Sequence, residues 1–224
     1  TRYIGVTGVQ TCALPIYGYL GRRLVPALLE RGHRVTALVR PGRESLLPGG
    51  CRVLTGDALR AESFQNGLGD ADTLVHLVGV AHPSPAKATA FRQVDLASLQ
   101  AAVAAACRAE VRHFVYLSVA QPAPLMHAYL AARAEGEALL RASGIPSTIL
   151  RPWYVLGPGH RWPLALLPFY WLAERLPASR ETAQRLGLVT IDQMLSALVE
   201  SVENSPAECR LLDVPAIRRL TLTL

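Results

Sequence analysis

The chain has 224 residues, of which 50% are hydrophobic, and it carries a formal net charge of +6 at pH 7. That length fits one domain, or one domain with a small lobe, and it is enough to bury a core without covalent staples. The charge comes almost entirely from arginine, because Lys87 is the only lysine. No basic run is interleaved with aromatic residues, so the composition argues against a nucleic-acid partner.

The cysteines show no paired Cys-x-x-Cys spacing, and no signal-peptide pattern opens the chain. Both observations favour a reducing, cytoplasmic location and the absence of a metal site. The four cysteines are Cys12, Cys51, Cys107 and Cys209.

Apolar runs rich in β-branched residues alternate with helical stretches as far as about residue 150. The predicted strands are Arg2–Val6, Arg34–Val39, Cys51–Thr55, Thr73–Val78, His113–Ser118 and Ser147–Leu150, and the predicted helices are Leu20–Arg31, Ala97–Ala109 and Ala128–Ala142. This alternation is typical of repeated βαβ units. It predicts an α/β fold, a Rossmann-type doubly wound parallel sheet with its ligand crevice at the carboxyl ends of the strands.

After Pro152 the spacing changes, and proline and glycine become dense. A helix is predicted at Ile191–Glu203 and a last short strand at Arg210–Val214. We therefore expect a core over residues 1–150 and a C-terminal segment, 151–224, that completes the fold and forms a small cap on the substrate side. The apolar stretch Leu164–Leu172 is half as long as a membrane span requires, so no transmembrane segment is expected. It is interpreted as buried or as a contact with a partner or a membrane surface.

A glycine turn opens the first predicted helix. Gly18-Tyr19-Leu20-Gly21 resembles the second half of the T-G-x-x-G-x-x-G fingerprint of extended and atypical short-chain dehydrogenases/reductases, and Thr7-Gly8 resembles its first half. The resemblance implies that Gly8, Gly18, Tyr19, Leu20 and Gly21 bind the dinucleotide, because backbone N–H groups at such a helix N-terminus hold the pyrophosphate. Nine residues separate Gly8 from Gly18, where the fingerprint has two.

The string between these halves is itself unusual. Residues Val6 to Ile16, VTGVQTCALPI, look like the translation of a sequencing adapter, which would make the match of Thr7-Gly8 a coincidence. The rival interpretation is a natural insertion, since a longer surface loop costs little free energy. Either way, Val9 to Tyr17 are expected to form an irregular loop outside the sheet.

The second predicted strand ends in Arg40, and the first acidic residue after it is Glu44. NAD-specific Rossmann domains usually have an acidic residue at this strand end, whereas a basic residue suits the 2′-phosphate, so the pattern favours NADP(H) over NAD(H). An ordinary exposed arginine is the alternative. Within the resemblance, Asp57-Ala58 would approach the adenine, and Val78-Gly79 would line the adenosine and ribose.

The resemblance extends to the catalytic residues. Family members use a serine at the end of the fifth strand, a tyrosine that transfers the substrate proton, and a lysine one helical turn later that lowers the tyrosine pKa. The matching positions here are Ser118, Tyr129 and Arg133. Arg133 departs from the pattern, because a guanidinium stays protonated and cannot relay a proton as an amine can.

The segment from Ile149 to Gly159 resembles the family's R-P-x-x-V-x-G-P motif, which implies that Pro152 and Trp153 lie beside the nicotinamide. Residues Leu188 to Met194 resemble a later family motif, V-x-V-x-D-V-A. The sequence thus predicts an NADP(H)-dependent oxidoreductase acting on an unknown small molecule, a carbonyl or a quinone-like compound. The alternative is a non-catalytic dinucleotide-binding sensor or assembly subunit, like the NmrA-like regulators or the respiratory complex I accessory subunit.

Overall fold

The computed structural model describes residues 9–14, 18–44, 47–81, 83–159, 175 and 177–220. Its strands are β1 Gln10–Leu14, β2 Arg34–Val39, β3 Arg52–Thr55, β4 Thr73–His76, β5 His113–Leu117, β6 Ser147–Leu150, β7 Tyr154–Leu156, β8 Leu188–Thr190 and β9 Cys209–Leu212. Seven of them form one parallel sheet in the order β3-β2-β1-β4-β5-β6-β9. The remaining two, β7 and β8, pair in parallel as a separate small sheet. The predicted doubly wound parallel sheet is confirmed.

Helices connect the strands. They are α1 Gly21–Glu30, α2 Ala88–Ala90, α3 Ala97–Arg108, α4 His127–Ala142, α5 Pro177–Arg185, α6 Ile191–Glu203 and α7 Val214–Arg219. A π-helical segment, Phe91–Leu96, joins α2 to α3, and short 3-10 turns lie at Ala61–Ser63, Gln65–Gly67 and Pro85–Lys87. Within the described ranges, no helix combines the length and the apolar character needed to cross a lipid bilayer.

The sheet is buried on both faces. In β2, Leu38 points to a core shared with α3, whereas its neighbours Ala37 and Val39 point to a second core shared with α1 and α6. Successive side chains of a strand face opposite sides, so a strand covered on both faces becomes a continuous apolar run. This explains why the sequence pattern predicts β2 with the bounds that the structure has.

The first strand corrects the sequence expectation. The predicted strand Arg2–Val6 lies outside the described residues, and Gln10–Leu14 form β1 between β2 and β4. The expectation of an irregular loop is therefore wrong for these residues, and Cys12 is fully buried. The physical reason is that β2 and β4 would otherwise face each other across a missing strand with unpaired backbone groups, which is costly in an interior. The adapter origin of the string stays a hypothesis.

The strand order also locates the crevice. It reverses between β1 and β4, so the connections from these two strands leave toward opposite sides of the sheet, and ligands of such sheets bind at this switch point. In the C-terminal segment, β9 extends the main sheet beside β6. The boundary at residue 150 stays a prediction, and Leu164–Leu172 lie outside the described residues.

Candidate functional site

The glycine turn lies at the switch point, between the end of β1 and the start of α1. Gly18 is exposed, and a Cβ added there would meet no atom within 4 Å. Its carbonyl accepts a hydrogen bond from the Arg22 N–H at 3.2 Å, which forms the turn. Leu20, at the N-cap, makes no side-chain capping bond, and the first turn of α1 contains no acidic residue. Among the described residues, no side chain therefore caps the N–H groups of this helix end or neutralises their partial positive charge, which is the property that phosphate binding uses.

The other two glycines of the predicted turn, Gly21 and Gly8, differ in where they lie. Gly21 is the buried first residue of α1, where it belongs to the turn as predicted. Gly8 lies outside the described residues and precedes β1 in the chain, so it does not belong to the segment that joins β1 to α1.

Tyr19 links the glycine turn to the C-terminal segment. The Arg23 guanidinium lies 4.3 Å from the centre of its ring and donates to its carbonyl oxygen at 2.8 Å. Its hydroxyl occupies the place that a Cβ on Gly157 would fill, and the same position is 3.1 Å from Ile191 Cβ. Only glycine at position 157 admits the tyrosine in this place, so the turn is braced against the loop that follows β7.

The end of β2 presents a positive charge beside this turn. Arg40 is the exposed residue that directly follows the strand. Glu44, the first acid after it, accepts a hydrogen bond from the Gly42 N–H at 3.0 Å within its own turn. The local charge at the strand end is therefore that of a guanidinium.

The turn after β3 is fixed beside the end of β2. The Gly56 N–H donates to the Val39 carbonyl at 2.8 Å, and the Asp57 N–H donates to Ser63 Oγ at 2.9 Å. One carboxylate oxygen of Asp57 accepts from the Leu59 N–H at 3.0 Å. Ala58 is partly buried against the core beside α3, and Asp57 is partly exposed.

Val78 and Gly79 follow β4 at the same edge of the sheet. Val78 is buried, whereas Gly79 is exposed. The Val78 carbonyl accepts from Arg133 Nη2 at 3.2 Å, and a Cβ on Gly79 would lie 2.5 Å from that nitrogen. Gly79 is therefore required by the close approach of an arginine from α4, in addition to any need of a tight turn.

Of the three predicted catalytic residues, the structure brings two together. Tyr129, half-buried in the first turn of α4, has its ring centre 5.2 Å from the Arg133 guanidinium carbon and 5.0 Å from the Phe91 ring. Ser118 is buried after β5, and its hydroxyl donates to Glu137 Oε1 at 2.6 Å. The serine hydrogen therefore points to a carboxylate of the protein.

Arg133 is enclosed by the protein. Its side chain is 4% exposed and pairs with Asp95, which is 1% exposed, at 2.6 Å. It also donates to the Leu117 carbonyl at 2.8 Å. Burial raises the pKa of the Asp95 carboxyl, and the guanidinium of Arg133 offsets part of that rise.

Sequence reasoning missed Glu137, which organises the other half of the site. This carboxylate is 1% exposed and receives Arg151 Nε at 2.8 Å, Arg151 Nη2 at 2.5 Å and Gln121 Nε2 at 2.7 Å, in addition to Ser118. Burial alone raises the pKa of Glu137, but the hydrogen bonds from Arg151 and Ser118 outweigh it and hold the pKa below its usual value. Its position four residues after Arg133, on the same helix face, was the available signal.

The loop after β6 lies at the carboxyl end of the neighbouring strand and contains Pro152 and Trp153. Pro152 is buried and accepts a hydrogen bond at its carbonyl from the Ala120 N–H at 2.9 Å, and the Trp153 ring meets the Tyr154 ring edge-on at 5.8 Å. A cavity of ≈ 280 Å³ opens beside this loop, with Gln121 in its lining.

Comparisons with known proteins identify the family and the fold. A model of an NAD(P)H-binding family matches residues 17–160. Ceramide reductase from Caulobacter vibrioides is 28% identical over 186 residues, 81% of this chain and 57% of that protein. The 3-diazoavenalumate denitrifying reductase from a Streptomyces species is 28% identical over 222 residues, 86% of this chain and 71% of that protein. Photosystem II assembly factor Ycf39 from Trieres chinensis is 30% identical over 137 residues, 60% of this chain and 42% of that protein.

The chain spans about half the length of curated relatives such as the ceramide reductase and Ycf39. Among solved structures, the Bordetella bronchiseptica enzyme WbmH, in complex with NAD+, superimposes with a TM-score of 0.68 at 18% identity, covering 92% of this chain and 75% of that one. UDP-N-acetylglucosamine 4-epimerase from Bacillus cereus gives a TM-score of 0.67 at 16% identity, covering 92% and 79%. At this identity the likeness shows the fold alone.

Proposed function

Since this chain belongs to the NAD(P)H-binding family and has the fold of the short-chain dehydrogenases/reductases, we propose that it is an NADP(H)-dependent oxidoreductase that acts on a small carbonyl or quinone-like substrate. The observation that carries the proposal is the position of Tyr129. Its ring lies against Arg133, which itself contacts Val78 at the end of β4. This contact supports the proposal, because it puts a phenol that could donate a proton near the end of β4, one of the two strands at the switch point.

The residues at this edge of the sheet fit the dinucleotide. The amides of Gly18, Leu20 and Gly21 would hold the pyrophosphate, because no side chain caps them within the described residues. Arg40 would bind the 2′-phosphate through a charge-assisted hydrogen bond, and Asp57 would face the adenine. When bound, the nicotinamide supplies or accepts the hydride of the reaction.

The protein's own groups supply the proton. Tyr129 would donate its phenolic proton to the substrate oxygen, the step for which the family uses a tyrosine. Ser118 donates its hydroxyl hydrogen to Glu137, so in this arrangement the Ser118 oxygen can only accept a hydrogen bond. We therefore assign the polarisation of the substrate carbonyl to Tyr129. In this arrangement Ser118 could contact the substrate only by accepting a hydrogen bond from a hydroxyl or N–H group.

The test is a pair of measurements on the same protein. Titration with NADPH and NADH should give a lower dissociation constant for NADPH, and a panel of aldehydes, ketones and quinones should include one that oxidises NADPH in the presence of the protein. Equal affinity for the two cofactors would reject the proposed preference. Tight binding with no oxidation across the panel would reject the proposed activity.

A second function is favoured by a specific observation. Arg133 is held by Asp95 inside the protein, so the cation that family members use beside the tyrosine is not free to exchange a proton. A domain that binds the dinucleotide without turnover, as a sensor or an assembly subunit, would have no need of that exchange. One relative, Photosystem II assembly factor Ycf39 from Trieres chinensis, is named for an assembly role.

A further inference from the structure

We propose that Asp95 and Arg133 form a buried clamp, a pair of positioning residues that holds the loop after β4 and the Tyr129 ring in their working places. The clamp deepens the proposed oxidoreductase function and rests on it. It replaces the role that the resemblance implied for Arg133, which was to take the place of the lysine that assists the tyrosine directly.

Asp95 reaches the interior through a local distortion of its helix. It lies in the π-helical segment Phe91–Leu96 that joins α2 to α3, a local widening of the helix that is often found at functional sites. One carboxylate oxygen meets Arg133, and the other accepts the Val80 N–H at 3.0 Å. A single carboxylate therefore ties the β4 loop to an arginine of α4.

The contacts of the Arg133 guanidinium explain why this position holds an arginine. Its two terminal nitrogens donate to the carboxylate of Asp95 and to the carbonyls of Val78 and Leu117, which follow β4 and end β5. The planar, five-donor guanidinium suits several acceptors at fixed angles, and the compact ammonium of lysine does not. The identity of this residue is thus explained by the protein groups around it.

The position of the guanidinium also affects the residues proposed to line the cofactor site. The guanidinium lies directly behind Gly79, which is exposed on its other side, and beside the Tyr129 ring. The same group thus supports both the backbone that would line the cofactor and the proposed proton donor. Displacing it would move both.

The experiment is a double-mutant cycle with Asp95→Asn, Arg133→Gln and the double variant. Asp95→Asn keeps an acceptor for the Val80 N–H and removes the charge, so it isolates the ion pair. Removing one partner leaves an uncompensated buried charge, whereas removing both leaves none. Each single variant should therefore raise the NADPH dissociation constant about 10-fold or more. The double variant should also bind NADPH weakly, within about 3-fold of the weaker single variant, because the two side chains hold the loop as one unit and their losses do not add.

Turnover supplies the readout that a purely structural role would not move. At a temperature well below unfolding, Asp95→Asn should lower kcat for the carbonyl about 10-fold or more while leaving its KM within about 2-fold, because the substitution misplaces the proton donor Tyr129 and removes no group proposed to bind the substrate. If the parent oxidises no substrate, the proposed activity fails, yet the affinity cycle still tests the clamp.

The matched control is the pair Arg92–Glu135, which bridges the same two elements at 2.9 Å but is 61% and 46% exposed. Because exposed pairs contribute little, Glu135→Gln should leave NADPH affinity at the parental value. Two results would overturn the clamp. One is a parental affinity and kcat in Asp95→Asn alongside losses in Arg133→Gln, which would indicate direct contact with the cofactor. The other is a double variant whose loss of affinity equals the product of the two single losses, which would show that Asp95 and Arg133 act independently.

Discussion

His76, at the end of β4, should make the protein less stable in mild acid. The side chain is fully buried between Phe114 and Tyr116, with ring centres 6.2 and 5.7 Å away. Burial, together with the positive charge of Arg133, lowers its pKa from 6.5 to about 3. Below pH 6.5 the unfolded chain therefore binds a proton at His76 that the folded protein does not bind. The stabilisation that comes from keeping His76 neutral is complete above that pH and is lost as the pH falls toward 3.

The size of the effect follows from that difference. Each fully unbalanced proton costs about 1.4 kcal/mol per pH unit, which integrates to about 2 kcal/mol by pH 5 for His76 alone. His113, whose pKa burial lowers to about 4, adds a loss of the same sign. The parent should therefore lose about 4 kcal/mol of unfolding free energy between pH 8 and pH 5 from these two groups.

The assay is urea unfolding of the parent and of His76→Phe at pH 8, 7, 6 and 5. The substitution keeps an aromatic ring in the stack and removes the titrating group. Any constant packing cost shifts the whole curve equally, so the comparison uses only the slope against pH. The variant should lose about half as much stability as the parent over this range. Identical slopes for the two proteins would show that His76 takes up a proton in the folded state, contrary to this reasoning.

Three further changes test other parts of the site. Arg40→Ala should weaken NADPH binding about 10- to 100-fold, the cost of a charged hydrogen bond, with NADH titration as the control that should not change. Gly157→Ala places a Cβ on the Tyr19 hydroxyl, so it should cost about 1–3 kcal/mol of stability in thermal unfolding and weaken NADPH binding. The control is Gly49→Ala, where the added Cβ meets no atom; it should cost less than about 0.5 kcal/mol of stability and leave NADPH binding unchanged. The pKa of Glu137 lies below 4.5, so the stabilisation that the ionised carboxylate provides is present above that pH and is lost as the pH falls through the lowered value. Glu137→Gln should therefore reduce the loss of unfolding free energy at acid pH. An unchanged loss would contradict the role given to Glu137.

Local patterns in the sequence were sufficient for most of the scaffold. Arg34–Val39, Ser147–Leu150 and Ile191–Glu203 have the predicted bounds, because buried parallel strands and an amphipathic helix leave apolar runs of characteristic period. Gly18 and Gly21 also lie where the fingerprint predicts them, at the start of α1.

The parts that failed depend on pairings between distant segments. The choice of Gln10–Leu14 as the central strand is set by the backbone groups of β2 and β4 on either side, which no local window contains. Arg133 and Asp95 lie 38 residues apart, and Asp95 becomes buried only through the π-helical segment. The predicted interplay of Ser118 with Tyr129 likewise missed Glu137, because a glutamate in a helix is ordinarily solvated.

The central claim, that Tyr129 is the proton donor of an NADP(H)-dependent reaction, is tested most directly by Tyr129→Phe. The parent and the variant would be compared for NADPH affinity and for carbonyl-dependent oxidation of NADPH under the same conditions. The phenyl ring keeps the contacts with Phe91 and Arg133, so the NADPH dissociation constant should stay close to the parental value. Loss of the proton donor should lower kcat about 10²- to 10⁴-fold, whereas turnover that persists at the parental rate would contradict the account.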